Sequence, residues 1–83
     1  MNIARHFGAA VRQHRVLLRL SQDELAARAS LDRTYISGVE RGRRNPSLSV
    51  MNRLADALGV GLDVLFASAR DLAEKAETQK RGS

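Results

Sequence analysis

Arg33, Thr34 and Ser37 sit one and four positions apart, and Arg41, Arg43 and Arg44 follow closely behind them. A guanidinium grips phosphate oxygens and can take guanine O6 and N7 together, while short hydroxyl side chains suit hydrogen bonds to base edges or contact with a thymine methyl. The chemistry open to this set is recognition of a polyanion. The bland alternative is a solvated helix face followed by a solubilising loop. Charge distribution favours recognition. The chain carries 14 basic against 9 acidic residues, a net charge of +5. Arg28, Arg33, Arg41, Arg43 and Arg44 face only Asp32 and Glu40 in their segment, whereas residues 63–77 are acidic on balance. A concentrated basic face calls for a nucleic acid more than an evenly basic chain would.

Bond-making chemistry finds no support. There is no cysteine, so disulfides and thiolate metal sites are excluded together. His6 and His14 have no companion acid, nucleophile or ligand and read as surface or helix-face residues. No glycine-rich phosphate loop, Ser-His-Asp set or carboxylate pair is present, so the chain is not expected to be an enzyme and no catalytic residue, metal, cofactor or small-molecule ligand is assigned. No apolar run approaches the roughly 18 residues of a membrane span, and MNIARHF lacks the apolar core of a secretion signal, so a cytoplasmic protein away from membranes is expected.

The elements that must position the basic set are helices. A chain of 83 residues rich in Ala, Leu and Arg suits one all-α domain, expected over residues 1–78 with a disordered tail at 79–83. Ile3, Phe7, Ala10, Val11 and Leu18 mark a first amphipathic helix over residues 3–18. Ser21 and Glu24 form a capping box that starts a second helix, 22–29. Asp32 caps a third, 33–41, which Gly42 ends. Ser47 caps a fourth that stops at Gly59, and Leu62, Leu65, Phe66, Ala69, Leu72, Ala73 and Ala76 give a fifth, 62–77. The second and third helices are too short and too closely joined to stack antiparallel, so they cross steeply over Ala26, Ile36 and Val39 with Leu31 in the turn. That is the pattern of a helix-turn-helix over residues 22–41, which offers the start of its second helix to a major groove.

Through LSQDELA, RTYISGVERGRRNPSL and LADALGVGLDVLF, residues 4–66 resemble the Cro/CI-like, XRE-type helix-turn-helix proteins related to lambda repressor. LDRTYISGVERGRRN is most similar to the controller proteins of bacterial restriction–modification systems. The resemblance implies a five-helix DNA-binding domain with an extended last helix, in the bacterial cytosol and at the nucleoid when bound. Arg33, Thr34 and Ser37 then meet bases or phosphates, Arg43 and Arg44 reach flanking phosphates, Arg44 also a base, and Arg41 belongs to the same DNA-binding set. Gln22 and Asn45 match phosphate-binding positions. Tyr35 touches the DNA backbone or a deformable step, unless its ring only covers the turn. Ser30 and Arg19 stand where the family usually has Gly, a departure that costs on the order of 1 kcal/mol wherever φ must be positive.

Glu40 would repel DNA unless it turned inward, and the resemblance pairs it with Arg15 as a structural ion pair. The late apolar stripe has its own consequence. Ala69, Leu72, Ala73 and Ala76 extend beyond the usual unit and call for a second copy, giving a homodimer on a palindromic operator in double-stranded DNA; the alternatives are a frayed end or packing within the chain. The function expected is an autoregulatory transcriptional regulator, in the narrower resemblance the controller of a restriction–modification operon, with a contact to RNA polymerase where it activates. An antitoxin, a phage-type repressor, and a protein-interaction module on the same scaffold are the competing readings.

Overall fold

The computed structural model describes residues 2–81, with side chains as far as Thr78. Five helices follow one another: α1 (Ile3–Leu17), α2 (Gln22–Ala29), α3 (Arg33–Glu40), α4 (Leu48–Leu58) and α5 (Leu62–Arg81). Among the described residues there is no strand.

Side-chain caps set the starts. Asn2 Oδ1 accepts from the Arg5 amide at 3.1 Å, Asp32 Oδ1 from Thr34 at 3.1 Å, and Ser47 Oγ from Val50 at 3.2 Å. The Ser21–Glu24 box is complete in both directions, at 3.0 and 3.1 Å. Each such cap satisfies an amide that the helix leaves free and contributes about 1 kcal/mol. Glu24 is held below the ordinary glutamate range, first by the Ser21 backbone amide and then by the Ser21 side chain.

Every helix sends one residue to a common centre: Val11, Leu25, Ile36, Leu54 and Leu65 are all completely buried. Phe7, Val39, Ala55 and Leu58 extend that cluster. Leu65 joins it as expected and Leu62 lies at its edge. Phe66 stays 41% exposed, resting on Phe7 with ring centroids 5.9 Å apart. The α1–α3 contact depends on Gly8, where a Cβ would run into the Val39 carbonyl oxygen.

Three boundaries differ from the sequence reading. Leu18 and Arg41 are C-caps rather than helical residues, because the chain turns to close each helix. At the other end, α5 runs past residue 77 to Arg81, which corrects the expected disordered tail for residues 79–81. No Gly or Pro interrupts the strong helix formers of EKAETQKR. Residues 82 and 83 of that tail lie outside the described residues.

Ala69 and Ala73 are buried within the chain, each 1% exposed. Their expected place on an open dimer face is therefore corrected: α5 packs most extensively on α1, and these small residues are consumed in the protomer's own interior. Leu72 is half-buried and Ala76 exposed.

Candidate nucleic-acid interface

The helix pair α2–α3 is tied at its turn. Ser30 closes α2 with φ 55° and ψ 46°, and Leu31 donates its amide to the Ala26 carbonyl at 2.9 Å. Arg19 also adopts positive φ, 58°. Both positions where Gly was missing thus take the left-handed conformation, at about 1–2 kcal/mol of strain for each non-glycine residue. From α4, Arg53 donates through Nε and Nη2 to the Ala29 carbonyl at 3.1 and 2.8 Å, and through Nη2 to the Ser30 carbonyl at 2.6 Å. A guanidinium therefore satisfies the carbonyls left over at the end of α2, where the helix dipole also favours a cation.

α3 turns Ile36 and Val39 fully inward, so the remaining sides face out. Thr34 and Arg41 are exposed, and Tyr35 and Ser37 are half-buried. Arg33 has 60% of its side chain in solvent, with Nε 3.4 Å from Asp23 Oδ1, itself 77% exposed. A pair this open contributes at most about 1 kcal/mol and is screened by salt, so it leaves Arg33 available. Gly42 ends the helix with φ 74°, close enough to α1 that a Cβ there would stand 2.7 Å from Arg5 Cα. The loop then presents Arg43, Arg44 and Asn45, all exposed. Arg44 bends back, its guanidinium carbon 5.9 Å from the centre of the Tyr35 ring, within cation–π range.

Behind this face lies a polar knot. Arg15 Nε donates to Glu40 Oε2 at 2.7 Å and Nη2 to Oε1 at 2.9 Å, and Nη1 donates to the Leu20 carbonyl at 2.8 Å. The side chains are 13% and 4% exposed. The hydrogen bonds it donates to Glu40 raise the Arg15 pKa above its ordinary value. Glu40 thus turns away from the basic face and joins the end of α3 to α1. Gln22 Nε2 also donates to Glu40 Oε1, at 3.2 Å. Its amide joins the knot, whereas a phosphate contact at the open rim was expected.

The structure therefore brings Arg33, Thr34, Ser37, Arg41, Arg43, Arg44 and Asn45 onto α3 and the loop after it, with Gln22 beside them and turned inward. Sequence reasoning missed Arg53, whose partners lie a full helix and loop away and leave no local trace, and the His14–Ser68 hydrogen bond of 2.9 Å between α1 and α5. Among the described residues no His, Asp or Glu group could hold a metal ion, and no helix is long and apolar enough to cross a membrane.

Two short helices locked at a tight, hydrogen-bonded turn, the second bearing open cationic and hydroxyl side chains, define a helix-turn-helix unit. The helix-turn-helix family model matches residues 11–65, and the chain belongs to that family, in its Cro/CI-like, XRE-type branch. It is 48% identical over 60 residues to the control protein C.BamHI of Bacillus amyloliquefaciens, covering 71% of this chain and 74% of that protein. It is 38% identical over 73 residues, 88% of this chain, to an uncharacterised helix-turn-helix regulator of Mycobacterium tuberculosis, of whose length it spans 51%. In three dimensions it is similar to the restriction–modification controller protein C.Esp1396I, solved as a tetramer on its natural 35 base-pair operator. That likeness has a TM-score of 0.77 at 29% identity and covers 83% of this chain and 91% of the other.

Proposed function

We propose that this protein is a sequence-specific DNA-binding transcriptional regulator that acts as a homodimer on a palindromic operator and controls its own operon, of the restriction–modification controller type. The observation that carries the reading is the outward cationic face of α3, with Arg33 60% exposed at the helix start while Ile36 and Val39 anchor the opposite side. Arg43, Arg41 and Asn45, with the amides at the start of α2, engage phosphates and fix the register. Arg33, Thr34, Ser37 and Arg44 read base edges, and Tyr35 senses local shape. Phosphate contacts supply affinity and base contacts supply choice.

Dimerisation uses what α5 leaves uncovered. Leu72 and Ala76 remain accessible, and beside Leu72 the α1 residues Val16 and Leu17 are 55% and 73% exposed. A two-fold pair built there would set two α3 helices about 34 Å apart, one turn of DNA. The operator complex of C.Esp1396I supports a multimeric arrangement on DNA for this chain. Occupancy of the promoter then excludes RNA polymerase, or assists it where a free surface touches the enzyme.

Selection from a random-sequence duplex pool tests the whole reading. A palindrome with half-sites one turn apart is the expected product. Recovery of unrelated sequences, or no binding at low ionic strength, refutes it. Sedimentation of Leu72→Glu tests the interface: monomers are expected, and a dimer that persists moves the contact elsewhere.

A further inference from the structure

Gly38 lies inside α3, where glycine is the poorest choice short of proline. Its backbone does not require glycine, because the positive-φ glycines are Gly42 and Gly59 and Gly38 is an ordinary helical residue. Nor does it meet another backbone. A Cβ built at Gly38 would stand 2.6 Å from Arg44 Cγ, 3.6 Å from its Nε and 3.7 Å from its Cβ. The space that a side chain would fill on the outer side of α3 holds the stem of Arg44. The same arginine ends over the Tyr35 ring, 5.9 Å from its centre. The Arg43 amide donates to the Gly38 carbonyl at 2.9 Å, so the loop itself closes onto this residue.

We propose that Gly38 is a positioning residue for DNA reading: its bare surface and the Tyr35 ring form a shelf that lays the Arg44 guanidinium along the recognition helix before DNA arrives. This rests on the DNA-reading function proposed above and names how one of its base contacts is aimed. A free arginine must surrender its rotamer freedom on binding, and one already held on a shelf has less to lose. The atom that blocks a Cβ is Cγ, near the root of the Arg44 side chain and not its tip, so alanine at 38 must swing the whole side chain about its first torsion and carry the guanidinium off the shelf, while the helix backbone stays in place. Stability and recognition are thereby set in opposition at one residue.

The test compares wild type, Gly38→Ala, Arg44→Ala and the double variant, each by thermal melting and by selection from a random-sequence duplex pool, with affinities measured on the wild-type winner. Gly38→Ala should melt at a higher temperature than wild type, since alanine favours helix. It should also lose roughly tenfold in preference at the base position that Arg44→Ala relaxes, within the range of one bidentate base contact. In the Arg44→Ala background the same substitution should add little further loss. If wild type selects no sequence, the DNA-reading function itself fails. If wild type selects a site that Gly38→Ala reads equally well, the shelf is wrong. A Gly38→Ala variant that unfolds, or whose loss adds in full to that of Arg44→Ala, also overturns it, because the side chain at 38 would then meet the fold or the DNA directly.

Discussion

Replacing Arg15 with Ala strands Glu40. The carboxylate is 4% exposed and takes two of its three hydrogen bonds from Arg15, at 2.7 and 2.9 Å, leaving only Gln22 at 3.2 Å. Removing one partner of a buried pair costs about 3–5 kcal/mol, because the remaining charge has neither water nor counter-ion. The pair is not fully dry, since Arg15 is 13% exposed, and this places the expected loss near ~3 kcal/mol. A domain of this size has roughly 5–10 kcal/mol in total, so the variant should lose a third or more of its stability, about 10–20 °C in melting temperature. Urea titration followed by helical circular dichroism measures it. A second variant isolates the cause. Arg15→Met combined with Glu40→Leu removes both charges and should lie within about 1 kcal/mol of wild type. A single variant that loses under about 1 kcal/mol, or a double variant as unstable as the single, would refute the stranded-charge reasoning.

Gly8→Ala drives a Cβ into the Val39 carbonyl, which cannot swing aside, so α1 and α3 must separate; a loss of about 2–3 kcal/mol is expected in thermal melts despite alanine's better helix propensity. Arg33→Ala should weaken operator binding by about 1–3 kcal/mol and relax one base position, and a uniform loss on all sequences would make Arg33 a phosphate contact instead. Arg43→Ala should lower the salt dependence of binding by about one phosphate's worth, read as the slope of log affinity against log salt. Glu24 titrates below its ordinary range when folded, so its charge contribution is complete above the unfolded value and fades as pH falls through the folded one. The stability gap between wild type and Glu24→Gln should therefore shrink on acidification from pH 7 towards about pH 3, and a gap that widens contradicts the cap.

What was legible in the sequence was local. Ser21 with Glu24, Asp32, Gly42 and Ser47 each act within a few residues of themselves, and they fix the helix starts and the turn almost to the residue. The basic face of α3 could be read because Ile36 and Val39 fix the helix's rotation. Long-range partners could not be. A periodic stripe on α5 says which face is apolar but not what covers it, so Ala69 and Ala73 read as surface for a second copy while they are already buried within the chain, on a helix that packs most extensively on α1. Gln22 looked like a phosphate ligand from its place at a helix start; its amide instead completes the Arg15–Glu40 knot across three helices. Arg53 reaches back to Ala29, a contact with no sequence signature at all.

α3 is eight residues long, and a peptide of that length does not persist as a helix in water. The reading surface therefore has no existence apart from the scaffold: whatever parts α1 from α3 erases recognition in the same event. On the proposed function, heat, a protease nick or a packing defect far from Arg33 would cost the protein more of its DNA binding than losing Arg33 itself, tying the duration of its signal to the lifetime of the fold.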